Sequence, residues 1–428
     1  MVFALDTTLR KFAVLSLAIG ATAALAIPLW AHYRADSFSR QGTREALLAA
    51  LKYEPSNAEL HNRLGRVVLY SPLGDPEEAL RELARATELD PHTASHWLDL
   101  ALARELEGDL TGAGRALEAA RTAEPRTPAV LWQMANFELR RNAPEATLAV
   151  LRELLSQSPE YTARALPVFA RVFDLQTLLD RAVPASTESL GAALEYVRAE
   201  SDFQGAPLVW ERMMTLGQPL DPGRVRFFLT WLLVTGHAEL GEKVWRDAAT
   251  RGAIPVSRAD AEQIFYNGDF TQPLLNYGLD WRVLPHPEAS VWIEPGGPRP
   301  GQQSLCVRFR EDARQPFEHM SHWIIVQPGH HYVMNAWLRS ERLNSSPGAF
   351  LQIRGSQSDV PQNAATESVL GNSKWTEVML RYETGPQSRM VNLALIRPGA
   401  GPQQQPAPGT VCVAAVSWKD LGPAGEVN

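Results

Sequence analysis

The spacing of apolar and polar positions changes three times along this chain. Residues 12–31, "FAVLSLAIGATAALAIPLWA", form an almost unbroken apolar run, long enough at about 1.5 Å per residue to cross a hydrocarbon core of roughly 30 Å. From residue 43 to about residue 252 the apolar positions recur at helical spacing, and the predicted elements are helices. Beyond Pro255 the period drops to two. The runs "SLCVRF", "HWIIVQPGHHYVMNAWLRS", "AFLQIRG", "KWTEVMLRYET", "MVNLALIRPG" and "VCVAAVSW" are rich in Val, Ile, Phe, Tyr and Trp and are punctuated by Gly, Pro and Asn. They predict six or more strands, the pattern of an all-β sandwich.

The flanks of the first run set an orientation. Arg10 and Lys11 precede it, "HYRADSF" mixes charges after it, and Trp30 and Tyr33 stand where interfacial aromatics belong. The expectation is a cytoplasmic N-terminus and a single membrane segment within residues 1–35, with everything after residue 35 outside. The chain then sits in a bacterial inner membrane with its bulk periplasmic or extracytoplasmic. A cleaved signal is the competing reading, because Ala24 to Ala26 satisfies the small-x-small rule. Both readings export the remainder.

The helical stretch repeats. Pro55, Pro91, Pro125 and Pro159 are 36, 34 and 34 residues apart, each closing a run such as "ATELDP" or "RTAEP". In "ASHWLDLALARELEGDLTGAGRALEAARTAEP" the small residues Ala101, Ala113 and Ala120 stand where paired helices approach closely, with Trp97, Leu100 and Leu117 between them. The preceding unit carries Leu64, Gly65, Ala79, Leu83, Ala86 and Pro91; the following one carries Met134, Ala135, Leu151 and Pro159, with Thr147 and Leu154 at positions usually held by alanine. Further on, "GHAELGEKVWRDAATRG" aligns Gly241, Trp245 and Ala248 with Ala113, Leu117 and Ala120. This pattern resembles the tetratricopeptide repeat family over residues 43–252, clearest over 43–160 and degenerate over 161–252. The resemblance implies an all-α right-handed superhelix whose concave groove binds protein partners. On it, the groove-facing candidates are Asn62, Arg66, Asp99, Gln133, Asn136 and Arg140, of which Asn62/Arg66 and Asn136/Arg140 share helix faces at i, i+4. Asn and Arg suit a peptide backbone or carboxylate. A solvated helix face is the plainer reading of the same residues.

The stretch "YNGDFTQPLLNYGLDW" at 266–281 opens the β region. The order of its Asn-Gly-Asp-Phe start, "GLDW" turn, "QSLCVRF", "VQPGHHYVMNAWLR", "KWTEVML" and closing "GTVCVAAVSW" resembles the galactose-binding-like jelly roll of carbohydrate-binding modules, over residues 265–421. The resemblance implies sugar binding and, in such modules, a calcium site with paired acidic residues in the closing strand. Here Ala414 and Ala415 hold those places, so no metal is expected and Asp269 alone remains as a ligand. Trp337, Arg339, Arg354 and Trp375 are the candidate glycan contacts, although core packing is the plainer expectation for each tryptophan, as it is for Trp292 and Trp323. The resemblance also makes neighbours of the strands bearing Cys306 and Cys412, and an exported location would permit a disulfide between them.

Composition narrows the function. With a net charge of -7 and no Lys/Arg block, a nucleic-acid partner is not expected. Two cysteines cannot build a CxxC-type zinc site. There is no GxSxG, Walker loop, HExxH or GxGxxG ahead of a helix, so neither an enzyme nor a cofactor is expected. His319 and His322 in "HMSHW" fall on opposite faces of a strand and are read as surface histidines. The sequence therefore points to a membrane-anchored extracytoplasmic scaffold that binds proteins through its repeats, in envelope or exopolysaccharide assembly. The alternative is a carbohydrate-binding protein with the helices as a spacer, and polysaccharide as its partner.

Overall fold

A computed structural model describes residues 8–344, 347–355, 363–400 and 405–423. Its packing divides the chain into two compact units, Met1–Pro184 and Ala185–Asn428.

The first unit begins with α1 (Thr8–Ser39), whose apolar part, Val14–Ser39, has a mean hydropathy of 1.9 and is long enough for a membrane span or a signal segment. The antiparallel helices that follow are α2 (Arg44–Leu51), α3 (Ala58–Leu69), α4 (Pro76–Leu89), α5 (Ala94–Leu106), α6 (Leu110–Ala123), α7 (Pro128–Arg140), α8 (Pro144–Gln157), α9 (Thr162–Phe169) and α10 (Leu175–Arg181). Local chemistry starts them. Asn57, Asp75 and Asp109 cap α3, α4 and α6 by accepting the N–H of Leu60, Glu77 and Gly112, while Pro76, Pro128 and Pro144 occupy first-turn positions. Small residues then let the pairs close. A Cβ on Gly65 would stand 2.6 Å from Leu83 Cγ, so α3 and α4 pack at a distance only glycine permits. The repeats also begin earlier than their sequence pattern. Ala35 in the last turns of α1 is buried with Leu47, Ala50, Leu60 and Leu64, so the end of the apolar helix serves as the first helix of a pair with α2.

The second unit opens with α11 (Thr187–Ala199), α12 (Gly205–Leu216), α13 (Pro222–Val234), α14 (Ala238–Thr250) and the short α15 (Arg258–Ala261). The strands are β1 (Arg282–Val283), β2 (Ala289–Pro295), β3 (Gln303–Phe309), β4 (Phe317–Ile325), β5 (His330–Leu343), β6 (Phe350–Gly355), β7 (Ala364–Ala365), β8 (Gly371–Glu383), β9 (Met390–Arg397) and β10 (Gly409–Pro423). They form two antiparallel sheets, ordered β1-β4-β9-β6-β7 and β2-β3-β10-β5-β8, which make a jelly-roll sandwich. Its core includes Leu305, Val307, Met320, Ile324, Met334, Leu338, Leu351, Leu393 and Val413.

Residues 266–281 are the joint inside this unit. Asn267, at φ 54°, donates through Nδ2 to Gln272 O at 3.0 Å and Asp280 Oδ1 at 3.3 Å, and accepts from Gln272 N at 3.1 Å. Trp281 Nε1 donates to Asn267 O at 3.1 Å. Gly268 O accepts from Val416 N at 2.9 Å, at a bulge in β10 where Ala415 adopts φ 50°. A Cβ on Gly268 would lie 2.0 Å from Val416 O, so the Asn-Gly pair is what allows the turn to dock there. On the helical side, Tyr266 packs edge-on to Trp245 of α14 with ring centroids 5.6 Å apart.

Two expectations are corrected here. His322 is not a surface residue: it is fully buried, stacked on Phe265 at 4.1 Å and edge-on to Trp281 at 5.2 Å. Its ring nitrogens face two carbonyls, Trp323 O at 2.7 Å and Tyr266 O at 3.1 Å, and the neutral ring donates its single N–H to one of them. His319 points the other way and is half-buried. Likewise Trp292, Trp323, Trp337 and Trp375 are not core residues but half-buried on outer faces. The inward parity of β5 and β8 is taken by Met334, Ala336, Leu338, Val378 and Leu380, which leaves the outward parity to the tryptophans. Trp281 and Trp418 are the tryptophans in the sandwich core.

Candidate functional site

Helices α3, α5 and α7, the first members of successive pairs, bring a charged cluster onto one face. Asn62 on α3 is almost completely buried and donates through Nδ2 to Asp99 Oδ2 at 2.9 Å. Arg66 Nε, one turn later, lies 3.8 Å from the same oxygen. Asp99 thus ties α5 to α3. On the other side Arg140 grips Glu105 with two hydrogen bonds, Nε at 2.6 Å and Nη2 at 2.8 Å, tying α7 to α5. That bond to Glu105 pushes the Arg140 guanidinium further above its ordinary pKa. A small cavity of about 100 Å³ lies between these pairs, lined by Tyr70, Leu102, Gln133 and Phe137 among others. A more open hollow of about 360 Å³ adjoins Arg63, Arg66, Val67 and Tyr70.

Of the six groove candidates, Arg66, Asp99, Gln133 and Arg140 converge on this face. Asn62 lies beneath them as a bridge between repeats. Asn136 is separate, donating to Trp132 O of its own helix at 2.8 Å. Sequence reasoning missed Glu105, Tyr70 and Phe137. Glu105 had a signal: it precedes Arg140 by 35 residues, about one repeat, as Arg66 precedes Asp99 by 33. Complementary charges one period apart on first helices mark contacts between neighbouring repeats. Arg66 and Arg140 are both about half exposed, at 53% and 50% of the side chain. Their partners Asp99 and Glu105 are only 20% and 15% exposed, so each guanidinium is held from below and keeps a solvent-facing side that an incoming carboxylate can share.

The outer face of the sheet β2-β3-β10-β5-β8 carries a second cluster. Two rows run across it in register: Trp292, Cys306, Cys412 and Arg339, and beside them Glu294, Ser304, Ala414 and Trp337. Cys306 and Cys412 are joined by a disulfide, with Cα atoms 4.0 Å apart. Arg339 covers it, with Nη2 2.8 Å from Glu294 Oε1 and 3.5 Å from Cys412 Sγ, and its guanidinium lies 5.2 Å from the Trp375 ring centroid. Trp337, Arg339 and Trp375 therefore share one face. Arg354 lies in the other sheet, on β6, donating to Glu318 Oε2 at 2.8 Å and Gln352 Oε1 at 2.7 Å. Asp269 is used locally, accepting from the Thr271 hydroxyl at 2.9 Å and its N–H at 3.2 Å.

Comparison with known proteins places the helical pairs. Residues 72–128 match the tetratricopeptide repeat family model, which covers α4, α5 and α6. No curated protein matches the chain. Among solved structures, that of MamA protein is 19% identical, covering 41% of this chain and 95% of its own, with a TM-score of 0.32. PilW, a widely conserved type IV pilus biogenesis factor, is 16% identical, covering 48% of this chain and 84% of its own, with a TM-score of 0.27. A CBM4 structure is 15% identical, covering 37% of this chain and 99% of its own, with a TM-score of 0.27. Residues 72–128 thus carry the tetratricopeptide repeat pattern, and the chain ends in a two-sheet antiparallel jelly-roll sandwich.

Proposed function

We propose that this protein is a non-enzymatic, membrane-anchored scaffold that holds a protein partner on the α3/α5/α7 face, outside the cytoplasm, in envelope or exopolysaccharide assembly. The observation that supports this most is the convergence of Arg66, Asp99, Gln133 and Arg140 around Tyr70 and Phe137, with both guanidinium groups half exposed. A partner segment offering carboxylates and an apolar side chain meets both needs of that face. Replacing Arg66 and Arg140 together with glutamate is expected to abolish co-purification of the partner. Each change sets like charges side by side, against Asp99 and Glu105, whose side chains are only 20% and 15% exposed, so each is expected to cost about 1–3 kcal/mol of stability, and circular dichroism checks that the double variant stays helical. Undiminished co-purification by the double variant would remove the support for this face.

The anchor has its own test. A reporter active only outside the cytoplasm, fused after residue 428, is expected to be active. Activity from a cytoplasmic reporter alone would reverse the orientation, and membrane-free protein beginning at Ile27 would show a cleaved signal instead.

A second reading, carbohydrate binding with the helices as spacer, is favoured by the shared face of Trp337, Arg339 and Trp375. On that face Arg339 already stacks on Trp375 and pairs with Glu294, so a sugar would have to displace it. Glycan binding that persists when Arg339 is replaced by alanine and Trp337 is kept would favour this reading over the scaffold.

A further inference from the structure

One guanidinium in the first helix pair has aromatic neighbours on several sides and no acid. The Arg34 guanidinium carbon lies 5.1 Å from the Phe38 ring centroid, 5.7 Å from Tyr53 and 6.0 Å from Trp30. The rings support each other: Tyr53 stacks on Phe38 at 6.0 Å and meets Trp30 edge-on at 5.5 Å. Nearby charges are already matched, His32 with Glu54 at 2.7 Å and Arg40 with Asp36 at 2.6 Å. Among the described residues no carboxylate pairs with Arg34, and its Nε is buried without a hydrogen-bond partner. A half-buried cation without a counter-ion is an unfinished arrangement, since aromatic faces supply only part of what desolvation removes.

Position indicates what finishes it. Arg34 follows the apolar run 12–31 by three residues, about 4.5 Å along a helix axis, which is the depth of the head groups when that run spans a bilayer. Ala35 and the neighbouring Phe38 pack α1 onto α2 and α3, so the cage is held by the folded repeat and exists before any ligand arrives. The anion present at that depth in every phospholipid is a phosphate diester, and a planar guanidinium suits two of its oxygens at once. We propose that Arg34, framed by Trp30, Phe38 and Tyr53, binds the phosphate of a membrane phospholipid and so fixes the height and rotation of the first helix pair at the bilayer surface. This rests on the reading of α1 as a retained membrane anchor. The lipid source is preferred to free phosphate because α1 would hold the cage among head groups at high effective concentration.

The test uses the full chain, reconstituted in nanodiscs of phosphatidylethanolamine and phosphatidylglycerol and released for native mass spectrometry. The native chain is expected to keep one phospholipid, Arg34→Gln to lower the retained fraction about tenfold, and Arg40→Gln to behave as the native chain. If Arg34→Gln melts early, Arg34→Lys replaces it: it keeps the charge, loses the planar fork, and is expected to retain less lipid than the native chain. Equal retention by a folded Arg34 variant that stays in the membrane fraction would overturn the site alone. Displacement of the lipid by millimolar inorganic phosphate would overturn the lipid source. Release of the native chain from membranes by alkaline carbonate would instead sink the anchor reading on which the site depends.

Discussion

Substituting valine for Gly278 is expected to destabilise the unit spanning residues 185–428 by about 2–5 kcal/mol. Two costs add. Gly278 sits at φ 66°, a left-handed conformation that a β-branched residue adopts only under strain. Its missing Cβ would also fall 2.5 Å from Trp245 Cζ3, 2.8 Å from Trp245 Cε3 and 3.0 Å from Leu229 Cδ2. Trp245 and Leu229 are themselves buried, at 1% and 0% exposure, so neither can step aside without opening α13 or α14. Hydrogen exchange should show α13, α14 and the 266–281 turn losing protection together, with a lower denaturant midpoint for the unit. An alanine there carries the same backbone strain and a smaller clash, and should fall between. Native protection and an unchanged midpoint in the valine variant would mean that the joint tolerates what its geometry forbids.

Asp280 replaced by asparagine is expected to make the same unit acid-sensitive, because two buried groups beside Trp281 now oppose each other. Burial pulls the His322 pKa down from 6.5 to about 4. The unfolded chain then takes up a proton below pH 6.5 while the folded one does not until about 4, so stability is lost as pH falls across that window. Burial pushes Asp280 the other way, up to about 6 from 3.8, against the N–H groups of Leu275 and Trp281 and the Asn267 amide that favour its charged form. The folded state holds that proton where the unfolded state has released it. Its contribution is therefore fully present below pH 3.8 and lost as pH rises through 6. Each term is on the order of 3 kcal/mol, and between pH 4 and 6 the two nearly cancel in the native chain. Asp280→Asn leaves only the histidine slope, so its stability should drop by about 2–3 kcal/mol more than the native chain's on acidification from pH 6.5 to 4. Urea unfolding across that range measures it. Parallel curves for the two chains would refute the opposition.

The helical half was legible because its determinants are local and repeat. Capping residues, first-turn prolines, Gly65 and the alanines at Ala79, Ala113 and Ala120 each act within one helix pair, so a period of 34 residues, once found, announces the packing. Arg66, Asp99 and Arg140 could be placed on a shared face for the same reason. The one-period spacing offers Glu105 to Arg140 as it offers Asp99 to Arg66, but whether such a pair closes, and that Asn62 is buried under Arg66, depends on how far each first helix rotates against the next. The strands were legible as strands but not as faces. Alternation shows that Trp337 and Leu338 point oppositely, while which of them meets the second sheet is decided by the strands brought opposite by the fold.

The sequence by itself determined the apolar segment, the repeat, the switch to β structure and the separation of His319 from His322. Only the tertiary structure decided that His322 is a core residue, because the carbonyl it meets belongs to Tyr266, 56 residues earlier. It also decided that α11 to α14, whose pattern continues that of the earlier helices, pack in one unit with the sandwich. The physical reason is the same in both cases. Periodicity records which side of an element is apolar, whereas the surface that covers that side comes from distant chain, here Gly278 and Tyr266 against Trp245.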